Sequence, residues 1–273
     1  MKKFLSSLTF AAIVATSLIA CKKDVKESNT DQISESEIAQ IKSLGFNTNG
    51  AQKVAEGYLV EGDIILRPED LTSRPNSPEI VYANEEHYRT TNLVKPASYP
   101  TIKVALNNSS SQHQAAFSAA LDEAIRRYNA ESLTIKFQRV TSGANTTVVA
   151  YYEVSNTLGS SGFPTSGGAP YSQVKMNTYW YSTGTGSTNI NYIATIMAHE
   201  LGHCIGFRHT DYMNRAYSCG GSAVNEGSAG VGAIYISGTP TGASSGSWML
   251  ACVGSNQNRP FTTADRTALT AVY

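Results

Sequence analysis

Apolar and polar positions change rhythm several times along the chain, and each rhythm predicts an element. Ile102, Val104 and Leu106 alternate with period two, as a half-buried strand does. After a polar Asn/Ser stretch, Phe117, Leu121, Ala124, Ile125 and Tyr128 recur with the 3.6-residue period of an amphipathic helix. Alternation returns at Leu133, Ile135 and Phe137 and again at Val148, Ala150, Tyr152 and Val154, which predicts two more strands. The Gly- and Pro-rich stretch from Gly159 to Pro170 reads as loop, Tyr171 to Tyr179 as a further strand, and Asn189 to Ile205 as a helix. Residues 212–247, rich in Gly and Ser, read as a long loop, and Thr262 with Asp265 forms a capping pair for a last helix carrying Ala268, Leu269 and Val272. Upstream, Glu35 to Leu44 is helix-like, and Tyr58 to Leu66 reads as two apolar runs split by Glu-Gly-Asp.

The first residues follow a different logic. Lys2 and Lys3 precede a mostly apolar run from Phe4 to Ala20, which is the layout of a secretory signal peptide over residues 1–20. The run ends Leu18, Ile19, Ala20, Cys21, which resembles a bacterial lipobox, so Cys21 is the expected lipidation site. An exported lipoprotein of the bacterial outer membrane, on its periplasmic or surface face, is the expected location.

Composition sharpens the division. Basic and acidic residues balance at 21 each, which removes any bulk electrostatic argument for nucleic acid as a partner. The balance hides an uneven spread: 22 of the 79 residues from 22 to 100 are charged, against 18 of the 173 from 101 to 273. The break predicts a lipid-tethered, charged leader over 21–95 and a main domain over 96–273, expected to be monomeric. Beyond Cys21 only Cys204, Cys219 and Cys252 remain, enough for one disulfide. Cys204 falls on the same helical face as Ile193, Met197 and Leu201, as a core thiol would, which favours pairing Cys219 with Cys252.

The chemistry concentrates in one segment. Residues 199–211 read HELGHCIGFRHTD, and three of the chain's five histidines stand there within eleven residues. His199 and His203, four apart on a helix, project from one face and can share a metal ion. Glu200 lies about 100° round the helix, beside the metal without needing to ligate it. Gly206 can end the helix in a left-handed turn and bring His209 back as a third ligand. Three imidazoles leave a fourth position open for water, the arrangement of a catalytic Zn(2+) site with Glu200 as general base.

The segment resembles the extended zinc signature of the metzincin metalloproteases, and its HELGH core with the trailing His209, Thr210 and Asp211 is most similar to the bacterial dual-action HEIGH metallopeptidases. The resemblance implies an α+β fold with a mixed, mostly parallel twisted sheet, an edge strand, an active-site helix and a C-terminal helix. It implies a zinc endopeptidase acting on protein or peptide in extended conformation, with Ser172 to Asn177 as the expected substrate-pairing edge strand. It also implies a methionine turn beneath the metal, for which Met249 is the candidate. Two departures follow: Ala251 stands where astacins carry an assisting tyrosine, and no Asp-rich calcium loop is present. The Glu-Gly-Asp-Ile segment at 61–64 resembles that of astacin propeptides, whose aspartate occupies the metal, so Asp63 is a candidate inhibitory ligand, with cleavage near Arg89 as the releasing step. The other reading of the same residues is a strand pair joined by a Glu-Gly-Asp turn. A binding or adhesion lipoprotein on the same scaffold is the competing function.

Overall fold

The computed structural model describes residues 32–44, 46–72, 87–107, 114–181, 187–222 and 233–273, and residues 32–273 form one compact unit. The signal segment and Cys21 lie outside the described residues, as does 223–232 of the long loop.

In the leader, α1 (Glu35–Ser43) begins at a capping box in which Ser34 and Glu37 satisfy each other's backbone N–H groups. Three short antiparallel strands follow, β1 (Gln52–Val54), β2 (Gly57–Val60) and β3 (Ile64–Leu66), with the Glu-Gly-Asp turn between the last two. Ile41, Leu44, Phe46, Tyr58, Val60, Ile64, Leu66 and Leu71 bury one another in a small separate core, closed by Phe163 from the body. β4 (Tyr88–Arg89) then runs into the body.

The body is built on β5 (Thr101–Asn107), α2 (Gln114–Asn129), β6 (Lys136–Arg139), β7 (Thr146–Tyr151), β8 (Gly159–Ser160) and β9 (Gln173–Asn177). Its five-stranded sheet has the order β6-β5-β7-β9-β8, parallel throughout except for the antiparallel β8. α2 and α3 (Ser187–Ile205) pack together over it, so Phe117, Leu121, Ile193, Met197 and Leu201 share one core with Val104, Val148 and Val174. Short elements α4 (Ala216–Cys219) and β10 (Ile234–Tyr235) interrupt the long loop, and α5 (Thr263–Val272) ends the chain. Its capping box is the one expected, Thr262 with Asp265.

Three expectations change. The edge is β8, not Ser172 to Asn177: the latter residues form β9, enclosed between β7 and β8. Two residues of Gly-Ser carry no alternation to reveal a strand. The boundary expected at residues 95–96 from the composition break near residue 100 is not a seam in the fold, because the stretch before it is hydrogen-bonded into the body: Arg208 N donates to Tyr88 O, Thr90 N to Gly206 O, and Val94 N to the Tyr273 hydroxyl. For the same reason Arg89 is not a detached cleavage point, since it pairs with Ile234 and bridges to Phe207.

Candidate metal centre and cleft

α3 carries the first two histidines deep in the protein because every face of its second half has an apolar or site partner; Ala194, Met197, Ala198 and Leu201 are all fully buried. His199 and His203 therefore enter the cleft one turn apart. The helix ends at Gly206, whose φ of 110° is left-handed, and a Cβ there would also stand 2.7 Å from Leu93 Cδ2, so glycine is required on both counts. The chain returns with Arg208 N bonded to Tyr88 O and Thr210 N to Met249 O, which holds His209 between two fixed points.

Met249 is fully buried beneath α3. A Cβ on Gly202 would come within 2.5 Å of its sulfur, so the Gly between the two helical histidines is what lets the methionine turn approach. Cys219 and Cys252 form a disulfide that ties the segment after His209 to the segment after Met249, and Cys204 is a buried free thiol.

The imidazole Nε2 atoms converge: His203 Nε2 lies 3.1 Å from that of His199 and 3.2 Å from that of His209. His199 Nδ1 stands 2.8 Å from Trp248 O and His203 Nδ1 2.8 Å from Phe207 O. A carbonyl can only accept, so both Nδ1 atoms donate, which leaves each Nε2 facing inward as the atom available to a metal. Burial first, then the neighbouring rings of His199 and His209, push His203 well below its ordinary pKa and keep it neutral. Lone pairs facing each other at these distances call for a cation, and the spacing is close to the ~3.3 Å edge of a tetrahedron with zinc–nitrogen bonds of about 2.0 Å. The residues fit zinc.

Asp63 completes the group. Its Oδ2 is 3.1 Å from His209 Nε2 and 3.5 Å from His199 Nε2, and the four donor atoms lie within 4.8 Å of one another. Burial would raise this carboxyl, but the histidines outweigh it and hold Asp63 well below the usual range. The turn and the cleft-entering aspartate, two readings of one segment, are both present. The leader also pairs along the sheet edge: Ile65 N donates to Ser161 O at 2.6 Å, Ser161 N to Asp63 O at 2.9 Å, and Ile64 bridges Ser161 in parallel.

Glu200 is buried beside the edge strand; a Cβ on Gly159 would lie 2.9 Å from its Oε1. Burial, then the charge of Asp63, pushes its carboxyl well above the ordinary value. The Ser161 hydroxyl lies 2.7 Å from Oε2, within donating distance. No sequence pattern pointed to Ser161. Nor did any reveal the buried pair of His87 and Asp265, whose Nε2 and Oδ1 are 2.7 Å apart although 178 residues separate them. Asp265 also accepts from Ser247 Oγ at 2.8 Å, behind the methionine turn.

Asp63, His199 and Glu200 line one cavity of about 280 Å³, together with Gly159, Trp180, Leu250 and Arg259 among others. The model of the dual-action HEIGH metallopeptidases matches residues 60–273. The chain belongs to that family. Its members are hydrolases of peptide bonds, so the substrate is protein or peptide and the cofactor of this histidine group is zinc. The fold also resembles a solved structure of myroilysin, with 17% identity and a TM-score of 0.40 over 66% of this chain and 97% of that one. No curated protein matches the chain. The family match begins in β2, well before the composition break, and includes Asp63.

Proposed function

We propose that the chain is an exported zinc endopeptidase, held at the cell envelope through a lipid on Cys21, in which His199, His203 and His209 ligate the metal and Glu200 is the general base. The observation that carries the reading is the convergence of three Nε2 atoms beside a buried carboxylate that lines the same open cavity. Zinc, when bound, supplies Lewis acidity and a water of lowered pKa. Glu200 receives the proton and returns it to the departing amine. The Ser161 hydroxyl, 2.7 Å from Oε2 and 2.9 Å from the Glu200 carbonyl oxygen, holds the carboxyl in place. The raised affinity of this carboxyl for protons, which burial chiefly causes, suits a group that must carry one. The edge strand β8, beside Glu200, is the element on which extended substrate pairs.

A second reading concerns regulation. Asp63 on the histidines and Ile65 on Ser161 fill the metal-facing and strand-pairing positions at once, which supports the full chain being a latent form.

Casein cleavage by the full chain and by its Asp63→Ala variant, with and without chelator and beside Glu200→Gln, tests both readings. Chelator-insensitive cleavage would overturn the mechanism, and zinc binding without cleavage in either form would favour the binding module.

A further inference from the structure

The cavity beside Glu200 has a wall that the reaction does not use. Tyr192, Thr195 and Ile196 precede His199 by seven, four and three residues and so line the same face of α3; Leu250 to Val253 face them, and Arg259 closes the space. This wall is apolar apart from Thr195, Arg259 and the Tyr192 hydroxyl. Thr195 is already committed: its hydroxyl donates to Asn191 O at 2.9 Å and accepts from Arg259 N at 3.0 Å and Arg127 Nη1 at 3.1 Å.

Arg259 is different. Its guanidinium donates to two neutral acceptors, Cys252 O at 2.9 Å and Gln257 Oε1 at 3.2 Å, and has no carboxylate partner among the described residues. The acids that act on it most from a distance are spoken for: Asp211 accepts from Ala251 N and Ser218 Oγ, and Asp265 from Ser247 Oγ and the Thr262 and Trp248 amides. Nearby Arg127, by contrast, has Glu123 at 2.9 Å. A half-buried guanidinium held in place without a counter-ion retains donors in the fork geometry that fits a carboxylate, and little side-chain entropy is left to lose on binding.

We propose that Arg259 is a specificity residue that receives a substrate carboxylate beside the scissile bond. The inference rests on the endopeptidase reading and adds the substrate class to it. The carboxylate belongs either to an Asp or Glu side chain flanking the cut or to the free end of a peptide cut near its C-terminus.

The test uses the full chain carrying Asp63→Ala and quenched fluorescent peptides that differ only in Glu, Ala or Lys beside the cut, with a further pair differing in a free or amidated C-terminus. Products are identified by mass spectrometry. The expected result is a kcat/KM about tenfold to a hundredfold higher for the carboxylate-bearing member of one series, the size of a charge-assisted hydrogen bond. Arg259→Glu reverses the ranking of the Glu and Lys peptides, or removes the preference for the free terminus, with zinc content and Tm confirming that the variant folds. Zinc-dependent cleavage with equal rates across both series, or a ranking untouched by Arg259→Glu, overturns this inference alone. Absence of zinc-dependent cleavage of any peptide and of casein overturns the endopeptidase reading and the inference with it.

Discussion

Truncating Asp265 to alanine tests how the metal site is held from behind. The carboxylate is fully buried where α5, the methionine turn and the strand segment at residue 87 meet. One oxygen faces His87 Nε2 at 2.7 Å and Ser247 Oγ at 2.8 Å; the other accepts from Thr262 N at 2.7 Å and Trp248 N at 3.4 Å. Removing it strands those groups away from water and takes away one half of the α5 capping box, the bond from Thr262 N, while Thr262 Oγ1 still accepts from the backbone N of residue 265. Breaking a buried network of this kind costs about 3–5 kcal/mol. In a domain of this size each kcal/mol moves Tm by about 2–4 °C, so the expected fall is about 6–20 °C. Trp248, whose amide bonds to Asp265, also offers the carbonyl that fixes His199 Nδ1, so zinc affinity should drop about 10–100-fold, as for other outer partners of metal ligands. Calorimetry and a zinc titration against a competing chelator read both effects. His87→Ala combined with Asp265→Ala should be less damaging than the sum of the two, because the residues share one network. A Tm shift below about 3 °C with unchanged zinc affinity would refute the reasoning.

Other substitutions probe other parts of the site. Asp63→Ala should raise casein cleavage by the uncut full chain at least about tenfold, equivalent to ~1.4 kcal/mol of cleft occupancy; unchanged activity would end the case for Asp63 as an inhibitory ligand. Gly202→Ala pushes a methyl group against the buried Met249 sulfur, 2.5 Å from where its Cβ would stand, and should cost about 1–3 kcal/mol in urea unfolding together with weaker zinc binding. Cys252→Ser opens the loop closed over a separation of 33 residues and should remove about 3–4 kcal/mol on the chain-entropy model. Coincident urea curves for that variant and the parent would count against the bridge as a stabilising element.

What the sequence made legible was local. Histidines at i and i+4, a glycine that must turn left-handed, and a Thr/Asp capping pair are all set by spacings of a few residues, and α3, Gly206 and α5 follow them. The regular strands were likewise visible as alternation, although Tyr152 and Val154 continue the pattern past the end of β7 and are largely exposed. What escaped depends on distant chain segments meeting. Ser161 reaches Glu200 across 39 residues and His87 reaches Asp265 across 178, and a serine or histidine in a loop carries no periodicity to announce its partner. The edge strand was misplaced for a related reason: β8 is too short to alternate, and its role comes from pairing with β9. The charged leader read as a separable tether because composition records solubility, whereas its own apolar core and its bonds to Ser161 and the end of α3 record packing.

The central claim is that Glu200, beside a histidine-held zinc ion, moves the proton of the attacking water. The most direct measurement is zinc content and casein cleavage of the Asp63→Ala chain side by side with the same chain carrying Glu200→Gln. The account predicts equal zinc in the two, with cleavage reduced about a hundredfold to ten-thousandfold by loss of the base. Cleavage that survives the substitution with zinc in place would contradict it.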